Sequence, residues 1–95
     1  MHTEKQIENY LKRKFESIGS IVLKFTSPGQ AGVPDRLIIL PDGFTIFVEV
    51  KCKTGRVAPL QQHWVDKINK QGANAHFVWS YEDVDKLLGV YGFAV

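Results

Sequence analysis

Hydrophobic residues recur along this chain with two different periods, and each change of period marks the boundary of an element. Ile7, Tyr10, Leu11, Phe15 and Ile18 fall at helical spacing, the three-to-four residue step that lines one face of a helix. Thr3 followed by Gln6 resembles a capping box that starts this helix, and Gly19 marks its end. From Ser20 to Thr26 the step shortens to two: Ile21, Leu23 and Phe25 alternate with a more polar set. That alternation predicts a strand with Lys24 on the opposite face. Ser27-Pro28-Gly29-Gln30-Ala31-Gly32 is a loop, punctuated by proline and glycine. A second strand is predicted over Arg36 to Leu40, and the turn Pro41-Asp42-Gly43 folds it back on a third over Phe44 to Val50 as an antiparallel hairpin. In such a pair the start of one strand, at Asp35, neighbours the end of its partner, at Lys51.

The helical period returns after a basic loop, with Pro59 suited to the first turn and Leu60, Trp64, Val65 and Ile68 on one side up to Gly72. Ala75-His76-Phe77-Val78-Trp79 reads as a short buried strand. Ser80 then caps a last helix with Val84, Leu87 and Leu88 inward and Asp83 at the capping-box position. A helix between the third and fourth strands is a crossover, which sets those strands parallel. The expected fold class is α/β, a mixed central sheet flanked by helices in the order αβββαβα.

Composition narrows the picture. At 95 residues and 44% hydrophobic, the chain is expected to form one domain over residues 1–95, with a single core. A net charge of +2 and a pI near 8.8 permit a nucleic-acid partner without requiring one. The lone cysteine, Cys52, excludes an intrachain disulfide and suits a reducing cytoplasm. No apolar run is long enough for a membrane span, and no secretion signal is visible, so a cytoplasmic protein without membrane contact is expected.

The third strand carries the chemistry. Phe44 to Val48 is aromatic and β-branched, yet the strand finishes Glu49-Val50-Lys51. Side chains two apart on a strand share a face about 6 to 7 Å apart, so Glu49 and Lys51 point the same way. Burying charges beside apolar residues costs several kcal/mol unless they are paired or bound to a metal, by order-of-magnitude argument. Asp35, after Pro34, supplies a second carboxylate at the adjoining strand end. Each has a bland rival: Asp35 as a turn cap, and Glu49 with Lys51 as an exposed ion pair. Lys24 is a candidate phosphate contact or a solvated strand lysine. Arg36 is either a phosphate clamp or a partner that holds Asp35. Lys53 and Arg56, in the basic loop after Lys51, are candidate DNA-backbone contacts, because cations that neutralise phosphates supply most non-specific affinity. His2, at a frayed terminus, and His63 and His76 are read as structural or surface residues, and Trp64 and Trp79 as core or interface. The apolar tail Val90-Tyr91-Gly92-Phe93-Ala94-Val95 is expected to pack in a dimer interface.

Ser27-Pro28-Gly29-Gln30-Ala31-Gly32-Val33-Pro34-Asp35-Arg36, Glu49-Val50-Lys51 and Pro59-Leu60-Gln61, in this order, resemble the virus-type replication-repair nuclease (VRR-NUC) domain of the PD-(D/E)XK nuclease superfamily. The flanks make the match specific, since Pro-Asp followed by Glu-x-Lys alone is a common pattern. The resemblance spans nearly the whole chain and implies a restriction-endonuclease-like core. It further implies a divalent-metal-dependent endonuclease, commonly phage-encoded as a minimal domain, tending to homodimers and acting on branched DNA such as Holliday junctions. Glu8 matches an acidic position of that family, with a role at a second metal or its water shell. The chemistry of the residues agrees. Mg²⁺, or Mn²⁺ in its place, takes hard oxygen ligands, here Asp35, Glu49 and the backbone carbonyl of Val50. Lys51 is charged and so better suited to orienting water or holding the scissile phosphate than to acting as a base. Gln61 is placed to hydrogen-bond the water or Lys51. From a different class, a non-catalytic nucleic-acid-binding module on the same fold, or a nuclease subunit needing a partner protein, fits the same residues.

Overall fold

The computed structural model describes residues 1–94; Val95, the last residue of the predicted apolar tail, lies outside them. The first helix, α1 (Glu4–Ser17), opens on the reciprocal cap expected of Thr3 and Gln6: Gln6 N–H donates to Thr3 Oγ1 at 3.1 Å and Thr3 N–H to Gln6 Oε1 at 2.8 Å. Its stripe of Ile7, Leu11 and Phe15 is buried, and Tyr10 and Ile18 pack at the margin. Four strands follow in the order β1 (Ile21–Lys24), β2 (Arg36–Ile39), β3 (Thr45–Val50) and β4 (Ala75–Val78), with α2 (Pro59–Lys70) between the last two and α3 (Tyr81–Val90) at the end. The strands lie side by side in that same order. The first three pair antiparallel, and β4 joins β3 parallel through the α2 crossover. This is the mixed αβββαβα sheet that the periodicity indicates.

The hairpin turn fixes the register that matters later. Gly43, at φ +88°, permits the reversal. Gly43 N–H donates to Leu40 C=O at 2.8 Å, and Asp42 Oδ1 accepts from Phe44 N–H at 2.9 Å. With the turn set, Ile38 faces Ile46 and Arg36 faces Val48.

Alternation then divides the sheet into two faces. Ile38, Ile46, Val48, Val50 and Val78 point to one side, where they close a single apolar cluster with the α1 stripe and with Val84, Leu87 and Leu88 of α3. The other side carries Phe47 and Glu49, and α2 covers it along β4. Toward β1 this face is open: Ile21 is 54% and Leu23 45% exposed. The core-facing residue of β1 is therefore Val22, not the Ile21, Leu23 and Phe25 set that looks apolar in sequence. The register explains the reversal, since Val22 pairs with Ile38, which faces α1, while Ile21 pairs with Ile39.

Other expectations are corrected locally. Leu60 does not belong to the inward side of α2; it is exposed, and Val65 is the buried residue of that helix. Ser80 caps α3 by accepting from Asp83 N–H at 3.1 Å, but Asp83 accepts from Trp79 N–H at 2.9 Å, one residue before the box position. His2 is not loose: its ring stacks on Tyr81 at 3.7 Å, and Tyr81 stacks on Tyr10 at 4.0 Å. Tyr91 and Phe93 pack against their own core, with Tyr91 Oη 2.7 Å from His76 Nε2, while Val90 and Ala94 of the described tail are exposed. Neither tryptophan is buried; Lys67 Nζ sits 4.9 Å from the Trp64 ring. Among the described residues no helix is long and apolar enough to cross a membrane.

Candidate active site

The β2–β3 register continued one step past Arg36 and Val48 sets Asp35 against Glu49, and one more step sets Pro34 against Val50. Asp35 and Glu49 thus meet where the two strands end, on the face away from α1. Pro34 is fully buried, and its fixed φ anchors the entry into β2. Asp35 C=O accepts from Phe25 N–H at 2.7 Å, which ties the same point to the strand on the other side. The hairpin brings together the two carboxylates predicted from sequence, and Lys51 follows at the end of β3 with its N–H donating to Val78 C=O at 2.8 Å.

Main-chain direction also places the Val50 carbonyl. Phe47 N–H and Lys51 N–H both donate toward β4, to Asn74 and Val78 carbonyls at 2.8 Å. Alternation then turns the main chain of Val50 toward β2, where the opposing residue is Pro34 and has no N–H to offer. The strand ladder leaves the Val50 carbonyl without its β2 donor, beside two acids.

Glu49 is buried, with 9% of its surface exposed. Burial, and then the neighbouring Asp35 charge, push its carboxyl up to about 7, while Lys51 pulls the other way. A carboxylate so placed favours either a proton or a cation. Among the described residues no three His, Cys, Asp or Glu side chains converge on a common point, so the available donors are two carboxylates and a carbonyl. An all-oxygen set that leaves room for waters and a phosphate suits a hard divalent ion such as Mg²⁺.

The remaining candidates fall in different places. Lys24 pairs with Arg36 in the β1–β2 register, and both face α1. Glu8, from α1, accepts from Arg36 Nη2 at 2.8 Å, and Arg36 Nη1 lies 3.5 Å from Asp35 Oδ2 and donates to Asp35 C=O at 3.3 Å. The Arg36 guanidinium thus contacts both Asp35 and Glu8. Lys24 lines a separate small cavity with Lys5, Lys12 and Arg36. Lys53 and Arg56 are exposed on the loop beyond Lys51. Gln61 has a structural task as well: its Oε1 accepts from Ala58 N–H at 2.9 Å and caps α2. Gly32 brings this helix start to the site, because a Cβ on Gly32 would lie 2.7 Å from Leu60 Cβ. One neighbour escapes sequence reasoning altogether. Phe77 stands opposite Glu49 in the β3–β4 register, and only the parallel pairing, not any local motif, signals it.

Comparison with known proteins bears on the family and the fold. The model of the VRR-NUC domain family matches residues 2–80. A curated protein of Acyrthosiphon pisum secondary endosymbiont phage 1, named "Putative nuclease p44", is 48% identical over 58 residues, 61% of this chain and 62% of that protein. The alignment thus spans less than two thirds of that relative's length. A solved structure described as a VRR_NUC domain superposes with a TM-score of 0.86 at 38% identity, over 95% of this chain and 99% of the other. A second, described as a VRR_NUC domain protein, gives 0.69 at 19% identity over 95% and 88%, a likeness of fold.

Proposed function

Because this chain belongs to the VRR-NUC domain family, a family of nuclease domains, we propose that it is a divalent-metal-dependent endonuclease that hydrolyses phosphodiester bonds in branched DNA. The observation that carries this reading is the buried Glu49 set beside Asp35 where β2 and β3 end, with Lys51 closing the same strand. Glu49, Asp35 and the Val50 carbonyl would hold Mg²⁺ or Mn²⁺. Such an ion lowers the pKa of a bound water and offsets charge on the phosphoryl oxygens. Lys51 then orients the attacking water or holds the scissile phosphate. Arg36 keeps the Asp35 carboxylate aimed, and Glu8 steadies Arg36 in turn. The amide nitrogen of Gln61, left free by the cap, is available to the water or to Lys51. Lys53 and Arg56 extend the positive surface along the strand that leaves the site.

A panel of labelled junction, flap, single-stranded and duplex DNAs digested with Mg²⁺, with Mn²⁺ and with EDTA tests the activity. Cleavage is expected with either metal, fastest on the branched substrates, and none in EDTA. Metal-independent cleavage, or none on any substrate, would sink the reading.

We place the protein in the cytoplasm, where its DNA substrate and a free Cys52 thiol coexist, and read it as a homodimer. Two copies related by a twofold axis place matched cuts in a symmetric junction. The open sheet face at Ile21 and Leu23 supplies apolar surface that a second copy would cover. Ile21→Glu is expected to shift sedimentation at micromolar concentration from dimer to monomer. Wild-type protein sedimenting as a monomer under those conditions would remove the dimer.

A further inference from the structure

A cavity of about 380 Å³ opens between the N-terminal segment, the start of α3 and the basic loop. Its size lies within the range of small-ligand pockets. Trp79, His2, Ile7, Lys53 and Ser80 line it, together with the exposed Glu82. Its position relative to the active site is fixed by backbone bonds. Val78 C=O receives the Lys51 N–H at 2.8 Å, so Trp79 follows directly on the residue bonded to Lys51, and Lys53 lies two residues past Lys51 in the loop.

An aromatic pair lies along β4 and just past its end. Phe77 stands opposite Glu49, and the Phe77 and Trp79 ring centroids are 6.4 Å apart. His2, also in the lining, is held flat on Tyr81, with an interplanar angle of 1°. Trp79 is half-buried and is not among the residues packed on the hydrophobic cluster. An indole that neither fills the core nor stands free, bordering a cavity with a lysine, has the attributes of a stacking platform: a π-face for a base and a cation for its phosphate. Glu82 repels phosphate on the α3 side, which leaves Lys53 as the phosphate contact.

We propose that this cavity takes one unpaired nucleobase of the DNA strand engaged in the active site, stacked on Trp79 with its phosphate at Lys53. The proposal rests on the nuclease reading and deepens it: the site selects DNA carrying an unpaired nucleotide next to the cut. It does so with little regard to sequence, since every base offers a π-face.

The probes are a fluorescein-labelled splayed-arm DNA and a blunt duplex of matched length, with binding followed by polarisation in EDTA so that no cleavage intervenes. Stacking of one base is worth about 1–3 kcal/mol, so Trp79→Ala is expected to weaken splayed-arm binding by roughly 5- to 150-fold. Trp79→Phe keeps most of the affinity, and blunt-duplex binding does not change in either variant. A Trp64→Phe background makes Trp79 the one remaining tryptophan and serves if Trp79→Ala fails to fold. There, splayed-arm DNA is expected to quench the emission and blunt duplex is not. Equal affinity of folded Trp79→Ala and wild type for the splayed arm, or an emission indifferent to it, overturns the proposal. Failure of the nuclease reading shows separately, as absence of Mn²⁺-dependent cleavage by the wild-type protein.

Discussion

Replacing Glu49 with Gln is expected to abolish cleavage and, at the same time, to make the metal-free protein more stable above pH 7. The two effects have one origin. In the wild type, burial and the adjacent Asp35 hold the Glu49 carboxyl near 7 in the folded chain, against about 4.3 in an unfolded one. The folded state therefore binds more protons than the unfolded state between those values. Glu49 contributes its stability fully below the unfolded pKa, loses it as pH rises through the folded pKa, and leaves an uncompensated buried charge above it. Gln has the shape of the protonated acid and carries no such charge. The full shift corresponds to roughly 3.5 kcal/mol; with the neighbouring Asp35 side chain 43% exposed, solvent screening reduces this, and the variant is expected to gain about 2 kcal/mol at pH 8 in EDTA, or on the order of 10 °C in Tm for a domain of this size.

His76 acts in the opposite direction, since burial lowers its pKa and stability from that source rises with pH through its unfolded value. Comparing wild type with Glu49→Gln at each pH cancels the His76 contribution. Added Mn²⁺ should raise the Tm of the wild type at pH 8 and leave that of Glu49→Gln nearly unchanged, because the metal replaces the proton on an anionic ligand. Cleavage should fall by about 10³-fold or more in the variant, as expected when a group aimed at charge in the transition state is lost. A Glu49→Gln protein that still cleaves, or melts at the wild-type temperature at pH 8 in EDTA, would remove Glu49 from the site.

The parts of this site that were legible in the sequence are those fixed by local geometry. Pro41-Asp42-Gly43 permits one close reversal, and that reversal alone brings Asp35 to Glu49. The cap at Thr3 and the stripe Ile7, Leu11 and Phe15 likewise depend on residues three or four apart. What was not legible depends on which face another element covers. Ile21-Val22-Leu23 alternates the same way whether Val22 or its neighbours face inward, and the choice falls to α1, which packs on the Ile38 side only. Arg36 stood open between two partners because Glu8, 28 positions earlier, reaches it only once α1 lies across the sheet. Phe77 and Trp79 gave no local sign of a place near Glu49, since a parallel register is set by the crossover and not by any turn.

Gly32→Ala is expected to cost about 2 kcal/mol of stability and about 100-fold in cleavage, although Gly32 carries no reactive group. An added Cβ would sit 2.7 Å from Leu60 Cβ, 2.8 Å from Leu60 C and 2.9 Å from Leu60 O, at a backbone φ of +91°. The second and third contacts are to main chain, so a side-chain rotation does not relieve them. Either the loop carrying Pro34 and Asp35 withdraws or the first turn of α2 does, and each movement changes the distance between Asp35 and Gln61. A displacement of about 1 Å in a reacting constellation costs on the order of 100-fold. Gly29→Ala separates the two components of the effect. Gly29 lies in the same loop at φ +78° with nothing within 4 Å of its added Cβ, so it incurs the backbone strain, about 1 kcal/mol, without the collision. If close packing of the loop on α2 sets the site, Gly29→Ala melts somewhat lower yet cleaves near the wild-type rate, while Gly32→Ala melts lower still and loses most of its cleavage. Equal cleavage by the two variants would mean that Gly32 serves only its own turn, and that α2 reaches the site without guidance from this loop.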